Sequence, residues 1–101
     1  MPILHIFGML FEWHDTKFEM VYEGREISFE EACSVFTDDY AITAMDNGDY
    51  GEQRMITVGM SNQARILTVV WVERDETTRI ITAFKPTHTQ KKRYLNYAKF
   101  W

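Results

Sequence analysis

Three runs of apolar and β-branched residues follow one another in the second half of the chain, separated by short polar connections. They span Arg54–Gly59, Arg65–Arg74 and Arg79–Lys85. Runs of this kind predict β-strands, and strands joined by short connections pair antiparallel. Pro86 ends the last run, because proline cannot donate a hydrogen bond to the ladder. The chain is therefore expected to fold around an antiparallel sheet.

Two capping patterns predict helices on either side of these strands. Ser28 with Glu31 opens one helix, and Thr87 with Gln90 opens another. A Ser or Thr followed three residues later by Glu or Gln satisfies the exposed N–H groups of a first helical turn. A further strand candidate, Ala41–Asp46, is the weakest of the set.

The start of the chain adds a strand and another helix. Met9–Trp13 predicts a short strand, which Ile3–Phe7 would extend. Asp15 is suited to cap a helix that ends at Gly24, where a left-handed residue is favoured. The predicted fold is thus α+β, with an antiparallel sheet and the order β-α-α-β-β-β-α.

The composition indicates one small domain that works without a bound metal. The chain has 101 residues, of which 46% are hydrophobic, so residues 1–101 are expected to form a single domain around one core. A single cysteine, Cys33, and the lack of a basic leader favour a cytoplasmic protein, and the apolar run Ile66–Val72 is too short to span a membrane. Three histidines without short spacing predict no metal site and no cofactor.

The net charge of −4 hides a strong asymmetry between the two halves. Residues 1–52 carry a net charge of −10 and residues 53–101 carry +6, with no acidic residue after Glu76. Such asymmetry suggests a basic face for a polyanion. The alternative is a solvated surface with ordinary ion pairs.

Several motifs, in this order and spacing, resemble one family. They are F-E-W from Phe11, I-S-F-E-E-A from Ile27, E-Q-R from Glu52, A-R-I-L-T-V-V-W-V-E-R from Ala64, R-I-I-T-A from Arg79 and K-P-T from Lys85. Between Phe11 and Tyr94 the chain resembles the BrnT toxins, ribonucleases of bacterial type II toxin–antitoxin systems. The resemblance implies a RelE-like fold and metal-independent RNA cleavage that inhibits translation and growth. It also implies a ribbon-helix-helix (BrnA-like) antitoxin in a 2:2 complex that contacts DNA only through the antitoxin, and no membrane.

Candidate site residues come from the cations and aromatic rings that accompany these motifs. The catalytic candidates are Arg79, Lys85, Glu73 and Arg65, and the substrate-binding candidates are Arg54, Lys17, Trp13, Lys91 and Lys92. Arginine suits a phosphate because its planar fork matches two phosphate oxygens. Glu73 is either a general base or the cross-strand partner of Arg79. Strand alternation puts Arg79 and Lys85 on one face, but which face depends on the turn length.

Some positions depart from the family pattern. Phe84 stands where the family has an arginine, Gln90 where it has a glutamate, and His14 where it has an aspartate. A phenyl ring cannot neutralise a phosphate. The second hypothesis is therefore a catalytically inactive BrnT-like module that keeps a binding or regulatory role.

Overall fold

The computed structural model describes residues 3–13, 27–46, 48 and 51–98. In chain order the elements are β1 (Ile3–Ile6), β2 (Met9–Glu12), α1 (Phe29–Ser34) followed by a 3-10 turn (Val35–Thr37), β3 (Ile42–Asp46), β4 (Arg54–Met60), β5 (Ile66–Arg74), β6 (Thr77–Phe84) and α2 (His88–Ala98). All six strands form one sheet in the order β1-β2-β6-β5-β4-β3. The α+β class is as predicted. The helix expected between Asp15 and Gly24 lies outside the described residues.

The sheet is mixed, so the prediction of an antiparallel sheet was wrong. β2 runs parallel to β6, with Phe11 beside Thr78 and Glu12 beside Arg79, while the other four strand pairs are antiparallel. Short turns dictate the direction of consecutive strands only. β2 and β6 are distant in sequence, so no turn constrains their pairing. The RelE-like relationship stays a prediction.

The predicted element order was also wrong at the start of the chain, which forms a hairpin rather than one strand. Phe7 and Gly8 both have positive φ, of 57° and 75°. These values belong to the two-residue turn that matches the twist of paired strands, and glycine adopts them without strain. The turn gives two strands, and Ala41–Asp46 supplies a further one as β3.

Each face of the sheet is covered by a different helix. On the face that we call the α1 face, Phe11, Leu67 and Val69 pack with residues of α1 in a fully buried cluster. On the opposite face, the α2 face, Val58 packs with Tyr94 of α2 in a second cluster. Burial of these apolar side chains is the main stabilising contribution to the fold.

A β-bulge in β6 changes the faces that strand alternation predicts. Val70 pairs with Thr82 but Trp71 pairs with Ile80, so Ile81 is an extra residue. Directly opposed residues of antiparallel strands share a face, and an inserted residue reverses the alternation. Arg79, opposite Val72, therefore lies on the α2 face, whereas Lys85 continues the α1 face. The expectation that they share a face was wrong.

Both predicted helix caps form, but in the cap at Ser28 only one of the two predicted hydrogen bonds is present. Thr87 and Gln90 cap each other, through Gln90 N–H to Thr87 Oγ1 at 3.1 Å and Thr87 N–H to Gln90 Oε1 at 2.9 Å. Ser28 Oγ accepts from the backbone N–H of Glu31 at 3.0 Å. The side chain of Glu31, however, binds elsewhere, as described below.

Asp38 connects the 3-10 turn to the α2 face. Its Oδ2 accepts from the Tyr94 hydroxyl at 2.5 Å and from the backbone N–H of Met60 at 2.8 Å. Burial by itself would raise the pKa of Asp38, but the hydrogen bonds from Tyr94, Met60 and Tyr40 outweigh it and hold the pKa below its usual value. Burial and the neighbouring carboxylate raise the pKa of Tyr94. The pair therefore holds α2 against β4 near neutral pH.

The β5–β6 turn predicts a stabilising substitution. Asp75 and Glu76 have φ of 51° and 65°, and this turn type favours glycine at its second position. We expect Glu76→Gly to raise the free energy of unfolding by about 0.5 kcal/mol, since relief of left-handed strain exceeds the added chain entropy. Urea unfolding measures it. The control, Thr77→Gly in the adjoining strand, should lower stability, and a loss of stability in Glu76→Gly would contradict the assignment of strain.

Candidate nucleic-acid interface

Two cationic surfaces lie on the described part of the chain. The first is a cavity of about 410 Å³ at the end of the sheet where β5 begins and β6 ends. We call it the end pocket. It is lined by Arg65, Lys85 and Lys91 together with Met60, Ala64, Ile66, Leu67 and Pro86. No carboxylate is among these lining residues, so the end pocket is suited to an anionic chain such as a nucleic-acid backbone.

Arg65 is held in the end pocket by a buried carboxylate. Glu31, only 4% exposed, accepts from Arg65 Nε at 2.9 Å and forms an ion pair with Arg65 Nη2. The Ser61 hydroxyl donates to Glu31 Oε2 at 2.6 Å. Burial alone would raise the pKa of Glu31, but these hydrogen bonds and the charge of Arg65 hold it below the usual value. The guanidinium is therefore fixed in orientation while its side chain stays 36% exposed.

The second surface is a row of charged residues across the α2 face. Arg79 of β6 lies opposite Val72 of β5. In β4, Met55 pairs with Trp71. The residue before it, Arg54, therefore lies next to Val72 on the side away from Arg79. The two arginines are two strands apart, about 10 Å between Cα atoms, and long side chains from that separation can reach one phosphate. No hydrogen bond or ion pair of Arg79 is found among residues 3–13, 27–46, 48 and 51–98.

The row ends in a buried carboxylate that sequence reasoning missed. Glu12 is the cross-strand neighbour of Arg79 and only 8% exposed. Its Oε1 atom is buried and has no hydrogen-bond partner among the residues that the structure describes, an arrangement that is costly unless a ligand or a charge compensates. Glu12 stands in the F-E-W motif directly after Phe11. Phe11 belongs to the core on the α1 face, and adjacent residues of a strand point to opposite faces. This alternation was the sequence signal that Glu12 faces away from α1.

His5 places an imidazole on the same face as Glu12. It pairs with Leu10 in the β1–β2 hairpin, two positions from the pair that contains Glu12, and it is exposed. β1 lies two strands from β6, about 10 Å away. The α2 face of the sheet thus carries His5 and Glu12 beside the guanidinium groups of Arg79 and Arg54, and Asp46 is the cross-strand neighbour of Arg54.

Glu73 lies apart from both surfaces. The register places it opposite Thr78, on the α1 face, so it is not the partner of Arg79 that the sequence allowed. It is eight residues along the strand from Arg65, about 26 Å. Arg79 and Lys85 are likewise about 20 Å apart on opposite faces. The structure thus brings Arg65, Lys85 and Lys91 together and leaves Glu73 and Arg79 outside that group.

The remaining candidates are distributed between the core and the surface. Trp13 packs on Phe29 at the margin of the α1-face core, with ring centroids 4.1 Å apart. Lys92 is exposed on α2 and does not line the end pocket. Lys17 and His14 lie outside the described residues. Phe84 pairs with Thr68 on the α2 face.

Within residues 3–13, 27–46, 48 and 51–98, no three His, Cys, Asp or Glu side chains are grouped so that they could hold a metal ion. No helix in the same ranges has the length and apolar character needed to cross a membrane.

The fold and the charged surfaces define a small α+β protein with a cationic sheet face and a cationic end pocket. Residues 13–90 match the family model of BrnT, the ribonuclease toxin of type II toxin–antitoxin systems, and the chain belongs to this family. The family acts on RNA and has a protein antitoxin as its partner. A search among curated proteins found no match to the chain.

Proposed function

We propose that this protein is a metal-independent endoribonuclease toxin whose active site is the charged row of the α2 face. The observation that most supports this is the placement of Arg79 and Arg54 on either side of Val72, with the carboxylate of Glu12 next to Arg79. Cleavage of RNA without a metal needs cations for the phosphate and a group that accepts a proton. The α2 face supplies both, whereas the carboxylate at the end pocket, Glu31, is already bound by Arg65 and Ser61.

The reaction assigns one role to each group. Glu12 takes the proton of a ribose 2′-OH, and the 2′-oxygen attacks the adjacent phosphorus. The bond from phosphorus to the 5′-oxygen breaks, and the imidazolium of His5 protonates that oxygen. The products are a 2′,3′-cyclic phosphate and a 5′-OH. Arg79 and Arg54 stabilise the additional negative charge on the phosphoryl oxygens in the transition state.

The test is cleavage of a single-stranded RNA oligonucleotide by purified protein in excess EDTA. We expect fragments with cyclic phosphate ends, which resist phosphatase until acid opens the ring. A requirement for an added divalent ion, or 3′-OH ends, would contradict the proposal.

The second candidate function is an inactive binding module, which Phe84 favours because it replaces a family cation on the same face as Arg79. Expression in a bacterial host separates the two. Growth arrest supports the toxin. Good soluble yield without growth arrest or RNA cleavage supports the module.

The partner that we propose is a ribbon-helix-helix antitoxin, in a complex of two toxins and two antitoxins. The acidic first half of the chain, with a net charge of −10 over residues 1–52, is suited to the basic segments of a DNA-binding protein. Co-expression should restore growth and yield a complex whose mass corresponds to four chains. A complex of one chain each would contradict the proposed assembly.

Two neighbouring lysines of α2 should differ in their contribution to RNA binding, because they differ in whether they line the end pocket. Lys91 lines the pocket and Lys92 does not. We expect Lys91→Ala to weaken RNA binding several-fold at low salt and to reduce the slope of log affinity against log salt by about 0.7, the contribution of one contact on a single strand. Lys92→Ala removes the same charge from the same helix and should change the slope less. Equal effects would show that α2 acts only through its net charge.

A further inference from the structure

A small slot lies between α2 and the edge of the sheet, on the same face as the charged row. Its volume is about 150 Å³ and its walls are Ile42, Ala44, Ile56 and Val58, with Gln90 and Arg93 of α2 above them. Four of the six lining residues are apolar, and both of the others carry planar polar groups. An arginine guanidinium plane can stack on an unstacked nucleobase, and apolar side chains can pack against the base.

The polar groups of the slot present donors. Thr87 N–H can only donate, so its bond to Gln90 Oε1 fixes that oxygen, which also accepts from Thr68 Oγ1 at 2.9 Å. The amide NH2 of Gln90 is therefore the part that remains to donate. Arg93 has donors only. A base edge with carbonyl acceptors complements these groups, and uracil carries two.

The slot is also at the right distance from the charged row. Arg54 and Ile56 are two residues apart on one strand face, about 7 Å. Arg93 lies on the other side of the slot. A base in the slot thus has a cation on each side for the phosphates of its own strand.

We infer that the slot binds one pyrimidine base, preferentially uracil, next to the phosphate that Arg79 and Arg54 hold. This inference rests on the proposed function and adds a base preference to it. The base packs on Ile56 and Val58, the guanidinium of Arg93 stacks on it, and the amide of Gln90 donates to a carbonyl oxygen. The slot is a specificity site, separate from the groups that transfer protons.

The test fills the slot and measures binding of 2′-O-methyl oligonucleotides, which cannot be cleaved. Ala44 is exposed on β3 and lines the slot, so Ala44→Phe occupies it. The control, Met45→Phe, adds the same ring to the next residue, on the opposite face and 60% exposed. The probes are fluorescent eight-nucleotide oligomers of uridine, adenosine and abasic sugar.

We expect the unaltered protein to bind the uridine oligomer about tenfold more tightly than the abasic one, and more tightly than the adenosine one. Ala44→Phe should bind all three with the abasic affinity, and Met45→Phe should behave as the unaltered protein. If Ala44→Phe misfolds, Arg93→Ala should likewise reduce the preference for uridine over the abasic oligomer. Equal binding of uridine and abasic oligomers by the unaltered protein would overturn the inference alone. If the unaltered protein bound none of the three oligomers, both the inference and the proposed function would be wrong.

Discussion

Replacing Arg79 with alanine should lower kcat/KM for RNA cleavage by about 10²- to 10³-fold, the usual effect of removing one preorganised donor to transition-state charge. Arg79 is half-buried on the α2 face, next to Glu12, and a guanidinium fork can donate to two phosphoryl oxygens. Because no ion pair of Arg79 is found in the described part of the chain, its removal breaks no described ion pair. We therefore expect cleavage to fall while the thermal midpoint changes little.

The matched control is Arg74→Ala. Arg74 lies on the same face, but it forms an ion pair with Glu52 at 3.5 Å and sits at the turn, one row beyond Arg79. The Arg74→Ala variant should retain most of the RNA cleavage activity. Growth arrest in a bacterial host provides a second readout, which should disappear in Arg79→Ala and persist in Arg74→Ala. Equal loss in both variants, or full activity of folded Arg79→Ala, would remove Arg79 from the active site.

Replacing Glu31 with glutamine should destabilise the fold by about 2 kcal/mol at pH 7. Fully buried ion pairs lose about 3–5 kcal/mol when one partner is removed, and the exposed part of Arg65 reduces this figure. The variant loses the charge that orients Arg65 and keeps the volume of the side chain. Urea unfolding gives the free energy. RNA affinity should fall as well, because Arg65 no longer has a fixed position in the end pocket.

The effect of Glu31→Gln should depend on pH in one direction. The pKa of Glu31 is lowered in the folded state, so its stabilisation is complete above the ordinary carboxyl pKa of about 4.3. That stabilisation is lost as the pH falls through the folded-state pKa. The difference between variant and unaltered protein should therefore shrink below about pH 4. Glu30→Gln, an exposed neighbour on α1, should change stability by less than about 0.5 kcal/mol at either pH, and a pH-independent difference for Glu31→Gln would contradict the assignment.

Local sequence patterns predicted the helices and strands where short-range chemistry decides them. The two caps begin at Ser28 and Thr87, and the three strand runs after Arg54 form as expected. The early hairpin was missed because the Phe7-Gly8 turn stands between two apolar runs. The parallel pairing of β2 with β6 is a long-range choice that no local pattern encodes.

The site was harder to predict because it depends on one inserted residue. Without the bulge at Ile81, Arg79 and Lys85 would share a face, as alternation suggests. With it, they belong to two different surfaces. Glu12 was missed because its motif served as a family signature and its burial depends on the parallel pairing. Arg65 and Lys85 were predicted to be catalytic, and their proximity to Lys91 arises only where the sheet end meets α2.

NMR titration of the arginine Nε–Hε signals with a 2′-O-methyl uridine oligomer tests most directly whether the α2 face binds RNA at Arg79. The predicted result is that the signals of Arg79, Arg54 and Arg93 shift together at the lowest oligomer concentrations, while the signal of Arg74 stays in place. A titration in which Arg79 does not move, and only the end-pocket signal of Arg65 responds, would contradict it.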